Sequence, residues 1–172
     1  IGNGVAVDPE VLLDEIAMLR ARGIAVGDNL CISSRDHVVM PYHKVADGLT
    51  EAAMAAALGE GRQIGTTGRG IGPCYGDKAA RTTAVRVGDL ADPRLPERLA
   101  MIARVKNATL GALAGLAGVP LVPIDPVGLA AQCAAWAAAF RPHVTDTAYL
   151  VGDAVRDGRA VLFEGANGFL LD

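Results

Sequence analysis

Ile64-Gly65-Thr66-Thr67-Gly68-Arg69-Gly70-Ile71-Gly72-Pro73, continuing as Cys74-Tyr75-Gly76-Asp77-Lys78-Ala79-Ala80-Arg81, is the stretch around which the chain is organised. Four glycines stand among two threonines and an arginine, and a proline then opens a short charged segment. Glycine accepts positive φ and lets a ligand approach the backbone closely. Proline in the first turn of a helix sacrifices no useful hydrogen bond. A glycine-rich loop feeding a helix N-terminus aims several N–H groups at one place, where the helix dipole favours an anion. Thr66, Thr67 and Arg69 can add donors there, so the loop reads as an oxyanion site with phosphate as its natural occupant. A purely structural turn is the competing reading. The dipeptide Gly-Lys is absent from the chain, which excludes a standard Walker A loop.

Working outward, 172 residues are enough for one domain with a real core. The chain is 51% hydrophobic but only 4% aromatic, which points to alanine-rich helices. Sixteen basic and nineteen acidic residues leave a net charge of −3, so no nucleic-acid footprint is indicated. Cys31, Cys74 and Cys133 are odd in number, widely spaced and outside any metal-ligand pattern, which fits a reducing, cytoplasmic compartment. The longest apolar stretches, 110–124 and 130–140, are interrupted by Gly and Pro or by Gln132, so no membrane span is expected. The chain opens on Ile1-Gly2-Asn3-Gly4 and stops at Leu171-Asp172 just past an expected strand and turn. It is therefore expected to be a fragment, cut at both ends.

Asp8-Pro9-Glu10 is a strong helix start, with Leu12, Leu13, Ile16 and Leu19 on one face and Gly23 past the end. Residues 29–33 and 37–42 read as short strands, 44–58 as a helix, and 85–90 as a short strand or edge segment. A long helix is expected from Pro96 to about Gly115, weakened by Asn107, Thr109 and Gly111. Asp125-Pro126 repeats the start signal, and Leu129, Cys133, Trp136 and Phe140 form a core stripe. A last helix spans about 145–157. The apolar run 161–163 reads as a buried strand that delivers Glu164, Gly165 and Asn167 at its C-terminal tip, where open α/β sheets bind ligands. Strands alternating with helices give an α/β fold.

Lys78 and Arg81, three residues apart, share a helix face. Asp77 and Arg81, four apart, form a surface pair in the plainer reading. At 1.5 Å per residue, Arg81 lies about 12 Å along the axis from Pro73, so if Arg81 binds a ligand, a second subunit's site is its natural target. His37, His43 and His143 show no mutual metal spacing and read as non-catalytic. No Ser/His/Asp or Cys/His set is credible. Glu164 fits either chemistry or a backbone N–H.

Gly70-Ile71-Gly72-Pro73-x-Tyr75-x-Asp77-Lys78-x-x-Arg81 matches the signature of the adenylosuccinate synthetase family without a mismatch. The segments 64–69, 86–90, 1–5, Asp8-Pro9 and 162–166 resemble further family segments in the right order, so the resemblance spans the whole chain. It implies an α/β fold, part of a P-loop-NTPase-like open sheet with flanking helices. Residues 1–172 would be the central portion of one synthetase domain, without the family's N-terminal phosphate loop and C-terminal region.

The implied activity joins IMP and L-aspartate at the expense of GTP, with Mg²⁺, through a 6-phosphoryl-IMP intermediate in purine biosynthesis. By position, Thr67 would contact the IMP 5′-phosphate, with Thr66 and Arg69 as neighbours. Lys78 would be the signature's catalytic lysine, and Arg81 would reach the IMP phosphate of the partner in a homodimer. Asn167 stands where the family has a glutamine that contacts IMP, in Asn167-Gly168-Phe169 instead of Gln-Gly-Thr. Between Arg81 and Arg86 the chain is one residue longer than usual. The main residues for GTP and Mg²⁺ would lie outside these 172, no metal ligand is assigned within them, and the fragment alone is expected to be inactive. The rival readings are a non-catalytic nucleotide-binding or dimerisation module of the same origin and a purely structural piece.

Overall fold

Asp8 fixes the first helix as the sequence demands: its carboxylate accepts from the amides of Glu10 and Val11, and Pro9 occupies the first helical position. A computed structural model describes residues 1–59, 61 and 65–165. In it the order is β1 (Ala6–Val7), α1 (Pro9–Ala21), β2 (Ile32–Ser33), β3 (His37–Val38), α2 (Pro41–Leu58) and α3 (Ile71–Ala80). A 3₁₀ turn (Val87–Ala91), α4 (Leu95–Ala117), α5 (Pro126–Phe140), β4 (Val144–Thr145) and α6 (Thr147–Arg156) follow.

The strands are short, and both ladders are parallel. β1 pairs with β3 (Ala6 opposite His37, Val7 opposite Val38), and β2 pairs with β4 (Ile32 opposite Val144, Ser33 opposite Thr145). The mixed α/β character agrees with the sequence, while helices form most of the framework. α4 packs against both α2 and α5, and the core between them holds Met40, Tyr42, Leu99, Ile102, Cys133, Trp136 and Phe140. The α5 stripe is buried as its spacing predicts. Burial pushes the Cys133 thiol up to about 11, in keeping with a packing residue.

Several boundaries move for local reasons. Pro41 ends the expected 37–42 strand at Val38 and opens α2, three residues ahead of Lys44. After Arg86, which bridges antiparallel to His37, the chain curls into the 3₁₀ turn because the Asp89 carboxylate accepts the Arg86 amide at 2.9 Å. α4 runs unbroken to a left-handed Gly118. Its Asn107, a weak helix former, fastens the α4–α5 connection instead: its amide donates to the Ile124 carbonyl and its carbonyl oxygen accepts from the Ile124 N–H. Val144 and Thr145 join the ladder to β2, so α6 begins at Thr147 behind an Asp146 cap.

One expectation fails outright. The run 161–163 forms no strand, and Leu162 and Phe163 are 92% and 75% exposed. An apolar run states a demand for burial but does not name the strand that satisfies it, and none of the described residues covers this one.

Asp36, in the turn before β3, is fully buried with no hydrogen-bond partner of good geometry on either carboxylate oxygen. Burial pushes its carboxyl up to about 6, against the opposing pull of the Ile1 ammonium and the nearby amides of Val5, Ser33 and Gly4. An acid with a raised folded pKa favours folding in its protonated form, so its contribution is lost as pH rises from the unfolded value of 3.8 through about 6. Urea unfolding should show wild type losing on the order of 2 kcal/mol relative to Asp36→Asn between pH 4 and pH 7. Parallel pH profiles for the two proteins would contradict this.

Candidate functional site

α3 follows directly from the glycine-rich loop, and its sequence explains why it needs outside support. Ten residues that include Gly72, Pro73 and Gly76 make a poor helix by intrinsic propensity. Only Cys74 and Asp77 of α3 are buried. Gly70 provides the N-cap with φ 74°, and its N–H donates to the Asp47 carboxylate at 3.0 Å. A Cβ at Gly70 would lie 2.7 Å from backbone atoms of His43 and Lys44, so glycine is required on steric as well as conformational grounds. One α2 turn beyond Asp47, Glu51 accepts the Gly65 N–H at 3.1 Å. Two loop amides are thus already held by α2 carboxylates, a feature that the spacing of Asp47 and Glu51 at i, i+4 offers only in retrospect.

Thr66, Thr67 and Arg69 are exposed. Gly68 and Arg69 border a cleft of about 550 Å³ between the loop and the β1–α1 segment, with Lys44 and Asp8 on its wall. Lys44 is not a spare cation there, because its Nζ lies 2.7 Å from Asp8 and 3.8 Å from Glu10.

The far end of α3 opens on a different cleft. Lys78 and Arg81 line a recess of about 280 Å³ together with His37, Arg86, Asp89 and Arg98. Arg98 pairs with Asp89 at 3.0 Å and donates to the Ala84 carbonyl, so these two charges cancel. Lys78, Arg81 and Arg86 have no ion-pair partner among the described residues. Burial, then Lys78 and Arg86, lower the pKa of His37, which keeps its imidazole uncharged near neutrality. The recess is therefore cationic through three side chains, and an anion is its complementary ligand.

Lys78 is steadied by Tyr75: its Nζ lies 5.3 Å from the ring centroid, and the Tyr75 hydroxyl donates to the Gly4 carbonyl at 2.8 Å. Arg81 stands just past the helix at φ 67°, alone among described non-glycine residues in having positive φ. The expected Asp77–Arg81 surface pair does not form. Asp77 is buried, and its carboxylate accepts instead from His43 Nε2 at 3.0 Å and from Lys106 Nζ. Arg81 meanwhile leaves the helical path, so the i, i+4 rule no longer brings it over Asp77.

The structure thus brings Lys78 and Arg81 together and adds Arg86, which the sequence reading quoted but did not single out. It places the Thr66–Thr67–Arg69 group at the opposite end of α3, about 15 Å away along the axis. Asn167 lies outside the described residues. Among the described residues no group of three or more His, Cys, Asp or Glu gathers in a way that could hold a metal ion. No described helix is long and apolar enough to cross a membrane. Burial pushes the Cys74 thiol up to about 12, which disqualifies it as a nucleophile near neutrality.

The family model described as adenylosuccinate synthetase matches residues 1–172. The chain belongs to the adenylosuccinate synthetase family. Similar relatives include the adenylosuccinate synthetases of Carboxydothermus hydrogenoformans, 47% identical over 173 residues, and of Desulforudis audaxviator, 48% identical over 172. Each match covers 100% of this chain and 38% or 37% of the relative. A solved structure of fully ligated adenylosuccinate synthetase from Plasmodium falciparum superposes with a TM-score of 0.73 at 28% identity, covering 99% of this chain and 37% of that one. The chain thus spans a little over a third of the length of the synthetases it matches.

Gly68 and Gly70, two residues apart, should differ in their tolerance of a methyl group. Gly70→Ala combines positive φ with a backbone clash and should cost roughly 2–4 kcal/mol. Gly68→Ala, at φ 68° but with open space around its Cβ, should cost about 1 kcal/mol. Urea unfolding of the two variants measures both, and equal losses would mean that contact with α2 does not fix the loop.

Proposed function

We propose that this chain is the central portion of an adenylosuccinate synthetase, a GTP-dependent ligase that joins IMP and L-aspartate in the cytoplasm. The carrying observation is the recess in which Lys78, Arg81 and Arg86 converge without counter-ions among the described residues, on a helix whose signature the family shares. A phosphomonoester supplies the charge that this recess lacks.

In this reading the loop and the basic arm formed by Lys78 and Arg81 at the end of α3 act on one nucleotide class from two copies of the chain. Thr67, with Thr66 and Arg69 beside it, holds the 5′-phosphate of IMP bound to its own subunit. Arg81 reaches from the end of α3 to the IMP phosphate of the partner, since the length of the helix separates it from its own loop. Lys78 supplies positive charge beside the reacting nucleotide, and Asn167 is assigned to IMP by position. GTP and Mg²⁺ enter with the family reading alone. The donor sets among the described residues do not fit a divalent cation. The residues of this chain bind and orient the nucleotide, and the 172 residues alone turn over no substrate.

Calorimetric titration of IMP onto the chain tests this directly. Thr67→Ala and Arg81→Ala should each weaken binding by about tenfold or more, as expected for a lost hydrogen bond to a charged group. Mixing the two variants should restore one intact site per heterodimer if Arg81 acts on the partner, and none if it acts on its own subunit. A folded, dimeric wild type that takes up no IMP would remove the proposal.

A further inference from the structure

α3 contributes one thiol and one carboxylate to the interior, so apolar burial does little to fix its orientation. At its N-terminus the Gly70–Asp47 bond and the close approach to His43 locate the backbone. At its C-terminus the corresponding anchor is Asp77. His43 sits at the third position of α2, where the Met40 N–H donates to its Nδ1 at 2.9 Å. That bond assigns the proton to Nε2, which donates to Asp77 at 3.0 Å. Lys106, from the middle of α4, donates to the other carboxylate oxygen and lies 5.5 Å from the Tyr42 ring centroid. Three helices therefore meet at one carboxylate.

The backbone of Asp77 is engaged as well. Its carbonyl accepts the Arg81 N–H at 2.7 Å, closing the last turn of α3, and the Thr82 N–H donates to the Ala80 carbonyl at 2.8 Å. Between these two bonds sits Arg81 at positive φ, a conformation that residues with side chains avoid unless the surroundings impose it.

We propose that Asp77, clamped by His43 and Lys106, is the positioning residue of the basic arm: it fixes the final turn of α3 and the left-handed residue after it, and so sets where Arg81 presents its guanidinium. This rests on reading the arm as a phosphate-binding element. Asp77 touches no ligand and acts through Arg81. Burial opposes its ionisation, yet the hydrogen bonds from His43, Lys106 and Thr83 outweigh burial and hold its carboxyl below the usual range, so the anchor is charged at neutral pH.

Two measurements test the assignment. The first needs no ligand: amide hydrogen exchange on wild type, Asp77→Asn and Lys106→Met. Exchange over residues 78–83 should accelerate about tenfold or more in both variants while α1 and α5 keep their wild-type rates. Unchanged exchange over 78–83, or uniform acceleration along the chain, would overturn the proposal. Lys106→Met retains the side-chain stem and the His43 bond, and it carries the test if Asp77→Asn does not fold. The second measurement is IMP affinity in a double-mutant cycle. Asp77→Asn should weaken binding about tenfold when Arg81 is present and less than about twofold in an Arg81→Ala background. Equal losses in both backgrounds would make Asp77 a merely structural residue and overturn the proposal. If wild type fails to bind IMP, the functional reading falls and the exchange result alone decides the positioning role.

Discussion

Removing the Asp77 carboxylate from water costs several kcal/mol unless its oxygens are fully partnered. The chain meets that cost from two directions: a histidine that caps its own helix and a lysine that reaches across from α4. The arrangement resists change because losing either partner strands a buried charge, which is more damaging than exchanging one apolar side chain for another. The edge-on contact of the Tyr42 and His43 rings, 4.5 Å between centroids, keeps the imidazole plane aligned with Asp77. Much of what is particular to this molecule follows from that junction, because Cys74 and Asp77 are all that α3 buries and Arg81 stands just past its end.

The sequence reading succeeded where one residue's chemistry decides local structure. Asp8-Pro9 and Asp125-Pro126 start helices because a carboxylate caps while proline occupies a position that needs no donor. The stripe from Leu129 to Phe140 is buried because 3.6-residue periodicity leaves no other use for it. The α/β character was legible from the alternation of strand-like and helix-like segments. The reading failed where an interaction crosses the chain. Asp77 and Lys106 are 29 residues apart and Asp77 and His43 are 34 apart, so no spacing rule connects them. The i, i+4 rule offered Arg81 as the partner of Asp77, and tertiary structure supplied two better ones.

Within the candidate site, glycine and threonine content marked the loop, and the signature marked Lys78 and Arg81. Arg86 was visible only as part of a matching segment, because its place in the recess depends on the bridge that brings it beside His37. Asp47 and Glu51 were hidden for the opposite reason. They look like ordinary solvated acids on a helix, and only the approach of the loop turns them into acceptors for its amides. Their negative charge at the start of α3 also qualifies the first picture of that helix end as an open anion site, since the Gly70 N–H already has a carboxylate partner.

The exposed loop side chains and the basic recess lie at the two ends of α3, and that separation limits what one ligand can reach. A ten-residue helix spans about 15 Å, more than an arginine side chain covers, and Arg81 stands just past its far end. A single phosphate cannot touch both the loop and the arm of one copy without bending the helix between them, and the Asp77 clamp opposes such bending. A rigid α3 therefore keeps the loop and the basic recess about 15 Å apart within one copy. Under the proposed function, dimerisation completes each site by bringing one copy's arm to the other's loop, and the stiffness of a short, glycine-bearing helix then bears directly on nucleotide affinity.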